Sequence, residues 1–194
     1  MGWVILLLLV AVAGVAIGLY NRLVGARNAY RNAFAQIDVQ LTRRHDLIPN
    51  LVEVTRRYLQ HESQTLEAVI SARAAAVDGL KKAGSSLGNP VAIQELATAE
   101  NGLSAALGRL LAVAEAYPEL KADQTMARLS EELSSTENRV AFARQAFNDQ
   151  VMEYTNARET FPGNLGAGAF NFTSAQLLQI DSVTTREVPR ISLG

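Results

Sequence analysis

The stretch MARLSEELSSTENRVAFARQAFNDQVMEYTNARETF, residues 126–161, carries the clearest periodicity in the chain. An apolar residue returns at every seventh position: Met126, Leu133, Val140, Phe147, Tyr154 and Phe161. Such a repeat places these side chains on one face of a helix, as in a coiled coil or a helical bundle. Thr136 and Gln150 interrupt the stripe, which is more typical of a bundle face than of a long uniform zipper. We therefore predict a long amphipathic helix that packs in a bundle.

A second helix is predicted upstream of this stretch. Asn89 followed by Pro90 is typical of an N-cap with proline at the first helical position. Apolar residues then recur at heptad spacing, at Leu96, Leu103, Leu110 and Tyr117. The helix is expected to end before Pro118, because proline disfavours helical conformation in the residue that precedes it.

The segment from Asn21 to Ala76 also has a helical pattern, with little to stop it. Leu23, Tyr30 and Ile37 recur at intervals of seven residues. No turn signal separates this segment from the apolar residues before it, so the sequence predicts one helix that continues through both. The first strong break is DGLKKAGSSLGNP, residues 78–90, which is rich in glycine and serine.

The first twenty-one residues carry no charged side chain. As a helix, the run WVILLLLVAVAGVAIGLY from Trp3 to Tyr20 would span roughly 27 Å, just long enough for a bilayer core. A cleaved signal peptide is the competing interpretation, but the stretch lacks the basic region with which such peptides begin. We predict an uncleaved transmembrane anchor over residues 1–21.

The charges around this anchor predict its orientation. Only the terminal amine precedes it, whereas Arg22, Arg27 and Arg31 follow it. Residues 22–73 hold eight basic and five acidic side chains, and residues 74–194 hold ten and fourteen. Because basic residues favour the cytoplasmic side of a membrane and its anionic leaflet, we expect the N-terminus outside and the rest of the chain in the cytoplasm.

Composition argues against several classes of site. The chain has no cysteine, which excludes disulfides and thiolate metal sites, and only two histidines, His45 and His61. A formal net charge of -1 is unlike that of a general nucleic-acid binder, which needs a basic surface. We expect no cofactor, no metal and no nucleic-acid partner.

The stretch RRHDLIPNLVE, residues 43–53, concentrates most of the polar chemistry in the sequence. His45 beside Asp46 suggests a base with its orienting carboxylate, and thus a hydrolase or transferase. However, neighbouring residues on a helix do not face each other, and no nucleophile motif accompanies them. We expect exposed polar groups on an amphipathic helix and no catalytic residue.

Pro49 is the more informative residue of this stretch. It cannot donate a hydrogen bond to the carbonyl of His45, and its ring crowds that group. We predict that the helix bends or restarts here, with Asp46 capping the restarted part, and that Glu53 pairs with Arg57. The predicted helix-bend motif comprises Arg43, Arg44, His45, Asp46, Pro49 and Asn50.

Two long stretches resemble the signature regions of the LemA family: YNRLVGARNAYRNAFAQIDVQLTRRHDLIPNLVEVTRRYLQHE, residues 20–62, and AYPELKADQTMARLSEELSSTENRVAFARQAFNDQVMEYTNARETFP, residues 116–162. The chain departs from the family around Phe147 and Thr155, where the family tends to have Tyr-Asn pairs. The resemblance implies a bacterial protein with one N-terminal transmembrane helix and a long antiparallel helical bundle in the cytoplasm. It implies no catalytic residue, and it makes the bacterial inner membrane the expected location.

The expected fold is all-α: a transmembrane anchor over 1–21, a helical bundle over 22–162 and a mostly irregular tail over 163–194. Within the tail, SVTTREV is compatible with a short strand but has no clear pairing partner. Phe170 and Phe172 favour docking of the tail on the bundle or on a neighbouring subunit over free disorder.

Three features predict self-association. Gly14 and Gly18 have the spacing that lets transmembrane helices approach closely. A long bundle leaves flanks that a neighbour can cover, and the tail cannot form a core alone. We therefore expect a non-enzymatic scaffold that contacts the lipid bilayer, forms a homo-oligomer and organises membrane or partner proteins. The alternatives are a monomeric adaptor of a membrane protease or sensor and a hydrolase that uses the polar cluster at His45.

Overall fold

Six helices make up most of the residues that the computed structural model describes, which are 1–59 and 61–180. They are α1 (Gly2–Arg56), α2 (Ser63–Ser85), α3 (Pro90–Ala114), α4 (Pro118–Lys121), α5 (Gln124–Glu159) and α6 (Gly163–Ala169). No strand occurs in this part of the chain, and the prediction of an all-α fold is confirmed. The stretch SVTTREV lies outside the described residues.

The four long helices form an antiparallel bundle. Helix α1 packs chiefly on α5, α2 packs on α3, and α1 also contacts α2. Tyr30 near the start of the bundle contacts Tyr154, whereas Tyr58 at its far end is bonded to Asp123. Residue numbers therefore rise along α1 as they fall along α5, so the predicted antiparallel arrangement is observed.

The heptad positions of α5 form its buried face. Five of the predicted residues are at most 5% exposed: Met126, Leu133, Val140, Phe147 and Tyr154. Phe161 is 79% exposed, so its predicted place in the stripe is wrong. Because α5 ends at Glu159, the helical period no longer determines where the side chain of Phe161 lies.

The first interruption of the helices comes earlier than predicted. Helix α1 ends at Arg56 and α2 begins at Ser63, whereas the glycines at the start of the predicted break lie inside α2. A Cβ atom on Gly79 would come within 3.3 Å of the Cα of Leu96. The glycine thus permits close approach of α2 and α3 instead of making a turn. The predicted cap of α3 is confirmed, since Asn89 Oδ1 accepts from the amide of Val91 at 3.0 Å.

Buried apolar side chains form two clusters, which we name the proximal core and the distal core. The proximal core lies next to the N-terminal segment and contains Tyr30, Phe34, Phe147 and Tyr154. The distal core lies toward the α1–α2 connection and consists of aliphatic residues and methionine, from Ile48 to Leu133. A layer of polar side chains lies between the two.

The described part of the tail packs on the proximal core of its own chain. Phe172, Leu178 and Ile180 are buried there. Asn148 fixes the backbone of Leu178 from both sides, donating to its carbonyl at 3.1 Å and accepting from its amide at 2.9 Å. The Tyr154 hydroxyl donates to the carbonyl of Thr173 at 2.6 Å, and burial raises the pKa of that hydroxyl.

Helix α1 joins an exposed apolar segment to the bundle without a break. Its N-terminal part is long and apolar enough to cross a membrane, judged by length and composition, and no residue of the apolar window is buried. From Leu23 onward the same helix contributes buried residues to both cores. The prediction that one helix continues through both regions is therefore confirmed.

Candidate functional site

The predicted helix-bend motif is divided between two faces of α1. Arg44 and His45 are each only 2% exposed. The other members lie on the exposed face: Arg43, Asp46, Pro49 and Asn50. The expectation of exposed polar groups is therefore wrong for Arg44 and His45, which turn into the bundle because they fall next to the apolar stripe of Leu41 and Ile48.

A carboxylate from α3 receives both buried side chains. Glu100 is fully buried, and its Oε2 accepts from Arg44 Nη1 at 3.0 Å. Its Oε1 lies 2.7 Å from His45 Nε2. We infer that Nε2 carries a proton, because an ionised carboxylate can only accept hydrogen bonds. The two side chains of α1 thus hold both oxygens of one carboxylate.

Arg44 extends this network to a third helix. Its Nη2 donates to Ser104 Oγ at 2.8 Å and to Glu137 Oε1 of α5 at 3.3 Å. The side chain of Glu137 is 47% exposed, so the network runs from the centre of the bundle to its surface. We call these five residues the polar layer: Arg44, His45, Glu100, Ser104 and Glu137.

The polar layer fixes the relative positions of three helices. Removal of charges from water is costly, and it is offset only when the partners meet with good hydrogen-bond geometry. A shift of α1, α3 or α5 along its axis would separate those partners and leave charges buried alone. The arrangement therefore favours one register of the bundle.

Helix α1 passes through Pro49, and no new helix begins at Asp46, so the predicted restart is wrong. Proline has no amide hydrogen, so the carbonyl of His45 lacks its usual donor four residues later. Arg73 of α2 takes that place, since its Nε donates to this carbonyl at 2.7 Å. The neighbouring helix thus satisfies the group that the proline leaves open.

The polar layer has only part of the arrangement that a serine hydrolase needs. In such enzymes the nucleophilic hydroxyl is bonded to a histidine that a carboxylate orients. Here Glu100 orients His45, but the Ser104 hydroxyl is bonded to Arg44. In the described residues, no group of three or more histidine, cysteine or acidic side chains is placed to hold a metal ion. The observed contacts of Arg44, His45 and Ser104 connect helices.

Sequence reasoning missed the partners of Arg44 and His45. Glu100 and Ser104 lie one turn apart within the buried face of α3, between Leu96 and Leu107. A charged residue in the middle of an apolar stripe was a detectable signal, because burial of an unpaired carboxylate is costly. Which residue would pair with Glu100 depended on the bundle topology and was not visible in the local sequence.

A second polar contact closes the far end of the distal core. Asp123 caps α5, with Oδ1 accepting from the amides of Thr125 and Met126 at 2.8 and 3.0 Å. The Tyr58 hydroxyl donates to its Oδ2 at 3.0 Å. The Met126 amide and the Tyr58 hydroxyl lower the pKa of Asp123, and the same hydrogen bond raises the pKa of Tyr58. The predicted pair of Glu53 and Arg57 is also present nearby, at 3.2 Å.

The residues predicted to mediate packing outside the bundle have different surroundings. Gly14 and Gly18 are exposed, and a Cβ atom on either would meet nothing within 4 Å. Phe172 is 6% exposed in the proximal core, where the Arg27 guanidinium lies 5.0 Å from its ring centre. Phe170 remains 47% exposed, with its ring 5.0 Å from that of Tyr20. Of the two predicted docking residues, Phe172 is thus the buried one.

A family model described as the LemA family matches residues 33–193. The chain belongs to the LemA family. The matched region contains the polar layer, the distal core and most of the proximal core. The N-terminal apolar segment lies before the region that the LemA model matches.

Two relatives of this chain are named as magnetosome proteins. Magnetosome protein MamQ of Magnetospirillum gryphiswaldense is 28% identical over 158 residues, which cover 74% of this chain and 58% of that protein. Magnetosome protein MamQ 2 of Paramagnetospirillum magneticum is 27% identical over 175 residues, covering 82% of this chain and 64% of the relative. The chain thus spans less than two thirds of the length of either relative.

Proposed function

We propose that this protein is a single-pass, non-enzymatic scaffold of the bacterial inner membrane, whose bundle self-associates and organises other membrane or partner proteins. One observation carries the proposal: α1 is exposed and apolar in its first part and buried in the bundle in its second. A continuous helix transmits the position of the anchor to the bundle, whereas a flexible linker would uncouple them.

The orientation follows from charge. Arg22 and Arg27 follow the apolar segment, and no charged side chain precedes it. Basic residues next to a membrane span favour the cytoplasmic side, which supports a bundle in the cytoplasm and an N-terminus outside. A helix of 55 residues extends about 80 Å, so the part beyond the bilayer stands roughly 50 Å tall on the membrane.

The contacts of the polar layer support a scaffold over a hydrolase. Ser104 and His45 are each bonded to another member of the layer. Arg44, His45 and Ser104 are at most 7% exposed. A catalytic group needs access to a substrate, whereas a connecting group needs burial. The names of the two relatives, which refer to an organelle and not to a reaction, agree with this preference.

Self-association is proposed from the open glycine face of the anchor. Gly14 and Gly18 are exposed in the single chain, so a second anchor can approach its backbone closely. An exposed apolar side chain on α5, Met152, offers further contact area outside the membrane. Parallel association follows, because every copy has its anchor inserted in the same direction.

The test is the number of subunits of the full-length protein, measured by single-molecule photobleaching in vesicles of phosphatidylethanolamine and phosphatidylglycerol. The double variant Gly14→Leu, Gly18→Leu should shift the distribution toward monomers, because leucine prevents close helix approach. Gly2→Leu is the matched control, since it changes the same residue type at the far end of the anchor. A wild-type protein that stays monomeric at high surface density would contradict the scaffold and favour a monomeric adaptor.

A further inference from the structure

Helix α6 and the residues around it lie beside the anchor. We name residues 161–170 the foot. A Cβ atom on Gly166 would lie 3.7 Å from side-chain atoms of Leu19 and Leu23, so the foot packs closely on α1. Phe170 contacts Tyr20 edge to face, with ring centres 5.0 Å apart. The chain thus returns, after the whole bundle, to the segment from which it began.

Packing, and not helix propensity, holds the foot in place. Its helix has the sequence GNLGAGA, and each glycine lowers the stability of an isolated helix by about 1 kcal/mol relative to alanine. One of these glycines, Gly163, is required by a close contact. A Cβ atom on Gly163 would overlap the carbonyl oxygen of Ala157, and Gly166 faces the anchor. The foot is therefore shaped to fit between α5 and α1.

The outer surface of the foot is apolar and open. Phe161 is 79% exposed, Leu165 is 64% exposed and Phe170 is 47% exposed. An apolar groove of about 560 Å³ separates these side chains from the anchor, which lines it from Ala11 to Leu19. Exposure of this apolar surface to water would be unfavourable, and the packing of the foot on the bundle would have to offset that free energy.

The position of the groove along the axis of α1 gives its depth in a membrane. This inference rests on the proposed function of residues 1–21 as a transmembrane anchor. Ala11 lies nine residues before Tyr20, which is about 13 Å along the axis of α1. If residues 3–20 occupy the bilayer, the groove and the side chains that face it lie within the leaflet next to the bundle. A depth of about 10 Å is typical of elements that insert into the boundary between headgroups and acyl chains.

The distribution of charge matches this position. No charged residue occurs from Thr160 to Ile180, so the foot has no charged side chain that resists insertion, and Asn164 is its one polar side chain. Basic side chains lie just above it: Arg22 is exposed, and Arg158 donates to the carbonyl of Phe172 at 3.0 Å. An apolar tip below the charged side chains of Arg22, Arg158 and Glu159 is suited to acyl chains below polar headgroups.

We propose that the foot inserts into the cytoplasmic leaflet beside the anchor and that lipid acyl chains fill the groove between them. The protein then has two membrane contacts, the spanning helix and the foot. A protein held by a single membrane helix can rotate about the axis of that helix. A second membrane contact on one side of the helix restricts this rotation and so fixes the orientation of the bundle on the membrane. Lipid acyl chains are favoured over a second copy of the chain as the occupant of the groove, because the anchor residues beside the groove are themselves exposed to the acyl chains of the proposed bilayer.

Tryptophan fluorescence in vesicles tests the proposal, because the chain contains a single tryptophan, Trp3. We would place a new tryptophan in a Trp3→Phe background, either as Phe161→Trp or as Phe142→Trp. The second variant is the matched control: Phe142 is 73% exposed, and it lies about 25 Å from the membrane-proximal end of α5. The full-length variants are reconstituted in vesicles of phosphatidylglycerol and phosphatidylcholine brominated in its acyl chains.

Phe161→Trp should emit at shorter wavelength than Phe142→Trp and lose most of its emission in the brominated vesicles, while Phe142→Trp is unaffected. Equal emission and no quenching for both variants would overturn insertion of the foot. Blue-shifted emission of Phe161→Trp without quenching would also overturn it, because a protein surface would then cover the residue. Quenching of Trp3 in the otherwise unchanged chain reports separately on the anchor, so failure of the foot and failure of the anchor are distinguishable.

Discussion

The two cores of the bundle are closed by different means. In the proximal core, aromatic rings meet edge to face, with Phe34 5.7 Å from Phe147 and Tyr30 6.4 Å from the same ring. The tail then covers these rings. The distal core is aliphatic and is closed by the contact of Tyr58 with Asp123.

This difference shows that the two ends of the bundle are stabilised by different parts of the sequence. The proximal core lies beside the N-terminal apolar segment and the foot, and it draws on residues from Leu23 to Ile180. The distal core draws on residues that lie between positions 48 and 133. The polar layer separates the cores and joins α1, α3 and α5, so its loss should affect both cores at once.

The largest effect is expected for Glu100→Ala. The substitution leaves Arg44 and His45 buried without their carboxylate, and breaking a buried ion pair in this way costs about 3–5 kcal/mol. The free energy of unfolding, measured by urea titration of the full-length protein in detergent with circular dichroism, should fall by that amount. Glu95→Ala is the matched control on the same helix, because the side chain of Glu95 is 52% exposed.

A loss no larger than that of Glu95→Ala would show that the polar layer does not hold the two cores together. A paired replacement sharpens the test. Replacing Arg44, His45 and Glu100 together by apolar residues of similar volume removes the buried charges as a set, and such replacements are often neutral or stabilising. Recovery of stability in the triple variant would assign the loss in Glu100→Ala to unpaired charge and not to a cavity.

Features that depend on residues close together in the sequence were predicted, whereas features that depend on distant residues were missed. The heptads of α5 and the cap at Asn89 depend on neighbours within a few turns, and both were predictable. The end of α1 at Arg56 was missed because the following residues Arg57, Tyr58 and Leu59 include neither glycine nor proline. There the chain turns through backbone bonds from Tyr58 and Leu59 to the carbonyl of Thr55.

The polar layer could be predicted only in part. Pro49 correctly drew attention to the carbonyl of His45, yet the donor Arg73 lies on another helix and is 28 residues away in sequence. Glu100 is 55 residues from His45. Periodicity tells which face of a helix is buried, but it does not tell which polar residues of two buried faces meet. That depends on the axial register of the helices.

An intermediate effect is expected where α2 compensates for Pro49. Arg73→Ala leaves the buried carbonyl of His45 without a donor, which costs about 1–3 kcal/mol. Pro49→Ala restores an amide that can bond to the same carbonyl. We therefore expect Arg73→Ala to destabilise the protein strongly in the wild-type background and weakly in the Pro49→Ala background.

The measurement is a double-mutant cycle of unfolding free energies under the conditions used for Glu100. Arg128→Ala on α5 is a control for the loss of an arginine that contributes no contact to the His45 carbonyl. Equal costs of Arg73→Ala in both backgrounds would show that the proline and the arginine are independent. In that case, the contact of Arg73 could not be the replacement for the bond that Pro49 lacks.

The smallest effect is expected at the tip of the distal core, as a dependence of stability on pH. The pKa of Asp123 is lowered, first by the Met126 amide and then by the Tyr58 hydroxyl. A carboxyl group with a lowered pKa in the folded state stabilises the protein above its unfolded-state pKa, here close to the ordinary 3.8. That contribution is lost as the pH falls through the lower pKa of the folded state.

Asp123→Asn tests this dependence without removing the cap, because asparagine caps helices about as well as aspartate. Thermal unfolding of wild type and variant should differ most near neutral pH, and the difference should shrink as the pH falls below about 4. Glu119→Gln on the adjacent α4 controls for the loss of one exposed carboxylate. Because Asp123 contacts Tyr58 at the tip of the distal core, this acid sensitivity should leave the aromatic contacts of the proximal core unchanged. A difference between Asp123→Asn and wild type that is constant across the acidic range would contradict the assigned role of the carboxylate.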